Sequence, residues 1–217
     1  MCIILRRLGA ASSITFYRNK YTPFPYIREI HRSPAGNAYL PAKITMILAF
    51  DVYYTGDHAK AVCIGFENWT DTTTAQTWVQ HIPGIADYEP GAFYKRELPC
   101  ILAILNTIDL STISAIIVDG YVVLDNDGKA GLGLHLYNAL HGNIPVIGVA
   151  KTSYAGNDIN VTGVRRGQSE RPLYITAVGM PLPEAAANIH AMAGEYRMPG
   201  LLKKLDTITR EEGSNPE

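Results

Sequence analysis

Two aspartates lie within or at the end of apolar segments, where a carboxylate is unexpected. Asp51 interrupts the segment 47–54, ILAFDVYY, and Asp119 ends the segment 114–119, SAIIVD, directly before Gly120. A buried and unpaired carboxylate costs several kcal/mol or becomes protonated. Each aspartate therefore needs a basic partner, backbone donors or a metal ion, and Gly120 allows close backbone approach or a positive φ.

Two further acids suggest which chemistry this pattern serves. Glu97 lies near the start of a helix-like segment and Asp206 lies in the C-terminal segment KKLDTITREE. Each alone is typical of a solvated surface charge, but with Asp51 and Asp119 they predict a site for one or two Mg²⁺ ions, because magnesium prefers oxygen ligands. Carboxylate-bound Mg²⁺ commonly catalyses phosphodiester hydrolysis. The histidines show no zinc-binding spacing.

Hydrophobic periodicity predicts the elements that must position these acids. Apolar runs separated by Gly, Asp and Asn turns indicate a three-strand meander, and later runs alternate with helix-like segments. The predicted strands cover 47–54, 60–66, 75–81, 114–119, 144–150 and 171–178. The predicted helices cover about 98–105, where Pro99 suggests a kink or a late start, and 131–140, with two more near Pro183 and Pro199. This order predicts an α/β fold with a ribonuclease H-like mixed sheet, an antiparallel meander plus parallel strands, flanked by helices.

The composition excludes several classes of protein. With 217 residues, 47% of them hydrophobic and 18% charged, the chain is typical of a globular protein and not of a disordered polymer. No apolar run reaches the roughly 18 residues of a membrane-spanning helix. The three cysteines, Cys2, Cys63 and Cys100, are scattered and indicate neither a disulfide framework nor a zinc cluster. We expect a reduced, cytoplasmic protein that is a monomer.

The net charge of −1 hides an uneven distribution. Residues 1–45 contain seven Lys or Arg and one acid, whereas 12 basic and 19 acidic residues leave 46–217 at −7. We predict a basic N-terminal extension, 1–45, followed by one domain, 46–217. Three interpretations of the extension stay open: a disordered arm that contacts nucleic acid, an ordered extension, or residues read upstream of a native start at Met46.

Six blocks of sequence resemble the endonuclease V family, in the family's order. The strand with Asp51 resembles the family's first catalytic strand, and Asp119-Gly120 stands where the family has its second metal-binding acid. The other blocks are Tyr88-Glu89-Pro90-Gly91 with Arg96-Glu97, Ile147-Gly148-Val149-Ala150-Lys151, Pro172-Leu173-Tyr174 with Val178-Gly179, and Tyr196-Arg197-Met198-Pro199 followed by Asp206. The resemblance covers most of residues 46–212.

The resemblance implies a Mg²⁺-dependent endonuclease of DNA repair, with Mn²⁺ expected to substitute. Its implied partner is DNA containing deaminated purine, chiefly deoxyinosine, and it cleaves the phosphodiester one nucleotide 3′ of the lesion, leaving a 5′-phosphate. Asp51 and Asp119 correspond to the metal-binding acids, and Glu97 to a residue that completes the metal site or orients water. Asp206 takes the place of the C-terminal catalytic residue, and Lys151 that of a residue that meets the phosphate or lines the site.

The same resemblance implies a substrate-binding set. Tyr88, Pro90 and Gly91 correspond to a loop that wedges into the duplex while the damaged base is extruded, and Gly120 to a position beside that base. Extrusion costs least at a mispaired base, so damage favours its own recognition. An aromatic side chain at a loop tip bounded by Pro and Gly can fill the vacated stack.

The chain departs from the family after Asp119-Gly120. Where the family has His-Pro-Arg, this sequence has Asp125-Asn126-Asp127, which makes a basic segment acidic and is typical of a solvated turn. The acidic body argues against strong nonspecific DNA affinity, which depends on neutralising phosphates. Basic residues near the site in sequence could compensate: Lys95, Arg96, Lys129, Lys151, Arg165, Arg166 and Arg171.

Three alternatives to a deoxyinosine endonuclease stay open. The same site could cleave inosine in RNA, because contacts to a 2′-hydroxyl cannot be read from sequence. A non-catalytic relative that binds nucleic acid or a partner would have no need of all four acids. A metal-dependent phosphohydrolase of nucleotides would fit the acids but leave Tyr88 and Pro90 without a role.

Overall fold

The computed structural model of the chain describes residues 14–17 and 26–29 as backbone, and residues 45–84 and 93–211 with their side chains. The chain divides into two units, 1–42 and 43–217. In the first unit, β1 (Ile14–Tyr17) and β2 (Tyr26–Glu29) pair in antiparallel fashion. No strand period predicts these two elements, and the three interpretations of the N-terminal extension stay predictions.

A seven-stranded mixed sheet forms the centre of the second unit. From edge to edge its strands are β5 (Gln76–Ile82), β4 (His58–Phe66), β3 (Met46–Thr55), β6 (Ile113–Asp119), β7 (Val146–Ala150), β9 (Leu173–Val178) and β8 (Thr162–Val164). Strands β3, β4 and β5 are the predicted antiparallel meander, and β6 and β7 continue parallel to β3. Strand β9 is antiparallel to β7, and β8 is antiparallel to β9. The predicted mixed sheet is therefore confirmed. Only β8 was not predicted, because three residues are too few to show a period.

Helices cover both faces of this sheet, as the alternation of side chains along β3 requires. Ile47 and Ala49 pack in one buried cluster with α3 (Leu182–Ala191) and α4 (Gly200–Arg210). Leu48 and Phe50 pack in the other with α1 (Tyr94–Leu105) and α2 (Leu132–Ala139). Helix α1 begins before Pro99 and contains it, so the late start that Pro99 suggested does not occur. Among the described residues, no helix has the length and apolar character that crossing a membrane requires.

Strand register brings the two unexpected aspartates to the same level of the sheet. The parallel pairing of β3 with β6 ends at Phe50 opposite Val118, one residue before Asp51 and Asp119. The pairing of β6 with β7 then ends at Asp119 opposite Val149. The carboxyl end of β6 and the point where its pairing with β3 ends thus lie at one edge of the sheet, where ligands bind in α/β sheets.

Candidate active site

An open pocket of about 370 Å³ lies where β3, β6 and β7 meet α4. We call it the carboxylate pocket, because its polar wall consists of Asp51, Asp119, Asp206 and Lys151. Apolar side chains complete it: Phe50, Ile117, Val118, Val149, Met198, Leu202 and Leu205. The fold therefore brings together four of the five residues that the sequence predicts to be catalytic.

Asp51 is held between the sheet and helix α4. Burial raises the pKa of its carboxyl above the ordinary value, a hydrogen bond with the side chain of Thr209 lowers it, and the charge of Asp206 raises it. Thr209 is fully buried, and the carbonyl of Leu205, at 2.7 Å, is the alternative acceptor for its single hydroxyl proton. Asp51 therefore faces α4. Of the two α4 residues that act on it, Asp206 was predicted to belong to the site and Thr209 was not.

Glu97, the fifth predicted residue, approaches the same place from α1. It is 3% exposed, and its Oε2 atom has no hydrogen-bond partner. Burial raises the pKa of this carboxyl well above its usual range, and the charges of Asp119 and Asp51 raise it further. A buried carboxylate that lacks a hydrogen-bond partner and lies near other acids is stabilised by a proton or by a cation.

The backbone after Asp119 is fixed by close contacts between strands. Gly120 adopts a φ of +102° and donates its N–H to the carbonyl of Val149 at 3.0 Å. The neighbouring N–H of Val122 donates to the buried hydroxyl of Thr176 at 2.8 Å. The pKa of Asp119 is raised by burial and by Asp51 and Asp206, and lowered by the charge of Lys151.

Asp206 lies at the open side of the pocket, with 38% of its side chain exposed. Its Oδ1 accepts a hydrogen bond from Nε of Arg210 at 3.1 Å and lies 4.0 Å from Nζ of Lys151. Arg210 was not singled out in the sequence, although its position one helical turn after Asp206 is a signal for such a pair. Lys151 thus stands between two acids, Asp119 and Asp206, at the open side of the pocket.

Two arginines anchor the segment that leads into α4. Arg166 is 5% exposed, and its guanidinium donates to the backbone carbonyls of His190, Met192, Gly194, Tyr196 and Arg197. Arg197 in turn donates to the carbonyls of Lys151 and Pro172. Arg166 is therefore a structural residue, and its proposed membership of a nucleic-acid-binding set is wrong, because its donors are committed to buried carbonyls.

Comparison with known proteins places this site in a family. The profile of the endonuclease V family matches residues 28–206, which is most of the chain. The chain belongs to the endonuclease V family. The predicted family is thereby confirmed, and with it the coarse activity of a nuclease. No curated protein sequence matches the chain.

Solved endonuclease V structures share the fold at low sequence identity. The enzyme from Streptomyces avermitilis is 23% identical, with a TM-score of 0.64 over 77% of this chain and 81% of that one. Human endonuclease V is 20% identical, with a TM-score of 0.62 over 78% and 84% of the two chains. The Ciona intestinalis enzyme is 18% identical, with a TM-score of 0.62 over 78% and 86%, and was solved with a 24-mer DNA containing an inosine followed by a ribo-adenosine. These similarities support the ribonuclease H-like fold.

Part of the predicted substrate set lies outside the described residues. Tyr88, Pro90 and Gly91 belong to residues 85–92, so their proposed role as a wedge stays a prediction. Gly120 is described, and a Cβ atom added there would meet no atom within 4 Å. The space on the Cβ side of Gly120 is thus open.

The segment that departs from the endonuclease V family forms a turn. Asp125 Oδ1 accepts hydrogen bonds from the backbone N–H groups of Asp127 and Lys129, at 3.1 and 2.9 Å. Asn126 and Asp127 are exposed, in agreement with a solvated turn. The carboxylate of Asp125 is therefore used for local structure.

The donor set of the carboxylate pocket fits a magnesium ion. Glu97 offers a buried oxygen atom without a partner, and Asp51 and Asp119 are close enough to each other for their charges to interact. Across residues 45–84 and 93–211, no three acidic, histidine or cysteine side chains form a ready three-ligand cluster. Magnesium does not need one, because it is commonly bound by one or two carboxylates together with waters and substrate phosphates.

Proposed function

We propose that the chain is a Mg²⁺-dependent endonuclease that recognises deaminated purine, chiefly deoxyinosine, in DNA. It hydrolyses the phosphodiester one nucleotide 3′ of the lesion and leaves a 5′-phosphate. The observation that carries this proposal is the meeting of Asp51, Glu97 and Asp119 at one strand edge of an endonuclease V fold, with an unpartnered buried oxygen on Glu97. A cytoplasmic location and a monomeric state stay predictions.

In this proposal Asp51, Asp119 and Glu97 would hold the metal, which would supply Lewis acidity toward the phosphate and a water. The protein's own residues prepare the site for that charge. Burial raises the pKa of all three carboxyls, and the charges of Asp119 and Asp51 raise that of Glu97 further, so the arrangement is unfavourable without a cation and is relieved when one binds.

Lys151 and Asp206 have complementary roles at the open side of the pocket. The Lys151 ammonium binds a non-bridging phosphate oxygen, and the Arg197 contact to the Lys151 carbonyl fixes the backbone that carries it. Asp206 orients the attacking water and accepts its proton. Arg210 holds the Asp206 carboxylate in place by a 3.1 Å hydrogen bond from its Nε atom.

Inosine in RNA is the second candidate substrate. The DNA bound to the Ciona intestinalis enzyme places a ribo-adenosine after the inosine, so that relative accommodates a 2′-hydroxyl next to the lesion. We infer that the present site uses the same acids on either backbone. The difference between the substrates then lies in contacts to the sugar.

One cleavage assay separates these proposals. Labelled duplexes carrying deoxyinosine, deoxyinosine followed by a ribonucleotide, or no lesion are incubated with Mg²⁺ or EDTA, beside an inosine-containing RNA. We expect a Mg²⁺-dependent nick one nucleotide 3′ of inosine, lost in Asp119→Asn and kept in Asp127→Asn, which changes an exposed acid outside the pocket. Absence of any nick on all inosine substrates would leave a binding protein instead of an enzyme.

A further inference from the structure

A second groove, of about 440 Å³, lies beside the carboxylate pocket. We call it the hairpin groove, because most of its lining comes from strands β3, β4 and β5. The lining residues are Tyr53, Thr55, His58, Ala59, Lys60, His81, Thr209, Arg210 and Glu211. None of them belongs to the site residues that the sequence predicts.

The hairpin groove is continuous with the carboxylate pocket along two elements. Asp51 and Tyr53 point to the same face of β3, two residues or about 6.8 Å apart. On α4, Asp206 lines the pocket while Arg210, which binds it, lines the groove. A strand of nucleic acid held in the pocket therefore meets the groove within about one nucleotide.

Strand register aligns an aromatic and two basic side chains across the groove. Tyr53 pairs with Lys60, and Lys60 pairs with His81 on the next strand. Directly paired residues place their side chains on the same face, so these three form one row across the sheet. The Tyr53 ring is 41% exposed, and the Arg210 guanidinium lies 5.8 Å from its centroid.

Acidic and carbonyl groups also face this row. Lys60 Nζ donates to the carbonyls of Ile208 and Glu211, at 2.6 and 2.8 Å, at the end of α4. The Glu211 side chain is exposed at the rim, and Asp57 pairs with His58 at 2.5 Å. The two carbonyls hold Lys60 in a fixed position. The nearby acids partly offset the positive charge of the groove, so we expect it to bind by stacking as well as by charge.

We propose that the hairpin groove binds an unpaired stretch of the substrate strand next to the cleaved phosphodiester. This proposal rests on the proposed function. Tyr53 stacks on a base and Arg210 contacts the adjoining phosphate, while Lys60, held by two backbone carbonyls, adds positive charge beside them. An exposed aromatic ring beside cations is the combination that proteins use to bind single strands, because every base offers a π-face and every nucleotide a phosphate.

Binding is measured by fluorescence anisotropy with a labelled single-stranded 15-mer containing one deoxyinosine, in EDTA so that no cleavage occurs. We expect Tyr53→Ala to raise the Kd at least about fivefold, since loss of one stacked base has that effect or more. Tyr53→Phe keeps the ring and stays within about twofold of the wild type. Gln80→Ala, beside His81 but on the opposite face of β5, serves as the matched control, and thermal melting verifies that each variant is folded.

Arg210→Gln tests the phosphate contact separately. Each phosphate neutralised on a single strand contributes about 0.7 to the slope of log K against log salt. We therefore expect the slope for Arg210→Gln to be shallower by about that amount, and the slope for Tyr53→Ala to be unchanged. A folded Tyr53→Ala variant that binds the 15-mer as tightly as the wild type would overturn the proposal.

Substrate length locates the groove relative to the cleaved bond. Deoxyinosine strands are shortened one nucleotide at a time from either end, and KM and kcat are measured with Mg²⁺. Tyr53→Ala is expected to raise KM on long strands and to have no effect once the strand is too short to reach the groove. An effect that persists on the shortest strands contradicts the proposal. If the wild type nicks no inosine substrate, the proposed function fails, whereas the anisotropy result still decides the groove.

Discussion

Asp119 and Asp125 are close in sequence but are positioned by different kinds of interaction. Asp119 ends a strand, and the sheet fixes it through the pairing with Val149 and the 3.0 Å hydrogen bond from Gly120 N–H to that residue's carbonyl. Asp125 follows in a turn, where its own carboxylate accepts two backbone N–H groups. The first arrangement belongs to the fold, and the second depends on one side chain.

The turn containing Asp125 is held to a second loop by asparagines. Asn126 Oδ1 accepts from the N–H groups of Asp158 and Ile159, at 2.7 and 3.2 Å. The side chain of Asn157 donates to the carbonyl of Val123 at 2.8 Å, and that of Asn160 to the carbonyl of Asp125 at 2.9 Å. We call residues 123–129 and 154–160 the paired loops. Changes at the strand ends should therefore affect chemistry, and changes in the paired loops should affect local order.

The largest expected effect is that of Glu97→Gln. The substitution removes a proposed metal ligand, and we expect the rate of inosine-specific nicking with Mg²⁺ to fall about a thousandfold, the factor that corresponds to several kcal/mol of transition-state stabilisation. Without metal the same change stabilises the protein, because Gln does not have to be buried as an anion. Nicking rates and melting temperatures in EDTA measure the two effects.

The pH dependence of the melting temperature tests whether burial of the charged Glu97 carboxylate causes this difference in stability. The folded-state pKa of Glu97 is raised above the ordinary 4.5, so the wild-type carboxyl destabilises the metal-free protein increasingly as the pH rises above that value. Glu97→Gln should therefore melt like the wild type at pH 4 and at a higher temperature at pH 8. Glu184→Gln, an exposed acid on α3, should differ at neither pH. A gain of equal size at both pH values would contradict this explanation.

The sheet and the positions of the strand-end acids followed from the sequence because they depend on periodic features. Apolar runs at 47–54 and 114–119 predict two buried strands, and once the strands are adjacent, their register places Asp51 beside Asp119. The participation of Thr209 and Arg166 did not follow, because their contacts to Asp51 and to the carbonyls of residues 190–197 join residues far apart in the chain. The paired loops could not be predicted either, because single hydrogen bonds to backbone groups leave no period in a sequence.

An intermediate effect is expected at Gly148, which lies in strand β7 and packs closely against Gly120. A Cβ atom there would lie 2.6 Å from the Gly120 carbonyl oxygen and 2.6 Å from Thr176 Oγ1. Gly148→Ala must therefore displace the backbone that follows Asp119, at a cost of about 1–3 kcal/mol. Since a shift of 1 Å at a catalytic group can cost about 100-fold in rate, we expect nicking to slow by about 10- to 100-fold.

Gly163→Ala is the matched control for that substitution. Gly163 also lies in a strand, β8, but its added Cβ would meet only ordinary contacts, at 3.5 Å from Pro172. We expect nearly wild-type melting and nicking for this variant. Equal loss of nicking in both variants would mean that close packing under Gly120 does not position Asp119.

The smallest effect is expected in the paired loops. Asn126→Ala removes the acceptor of two backbone N–H groups, and because Asn126 is exposed we expect a loss of about 1 kcal/mol. Hydrogen exchange at the Asp158 and Ile159 amides should accelerate several-fold while the amides of β6 keep their protection. Asp127→Ala, which retains the backbone N–H that Asp125 accepts, is the control. If nicking in Asn126→Ala falls as far as in Gly148→Ala, the paired loops position the catalytic acids as strictly as the sheet does. The contrast between Asp119, fixed by the sheet, and Asp125, fixed by a turn, would then have no consequence for catalysis.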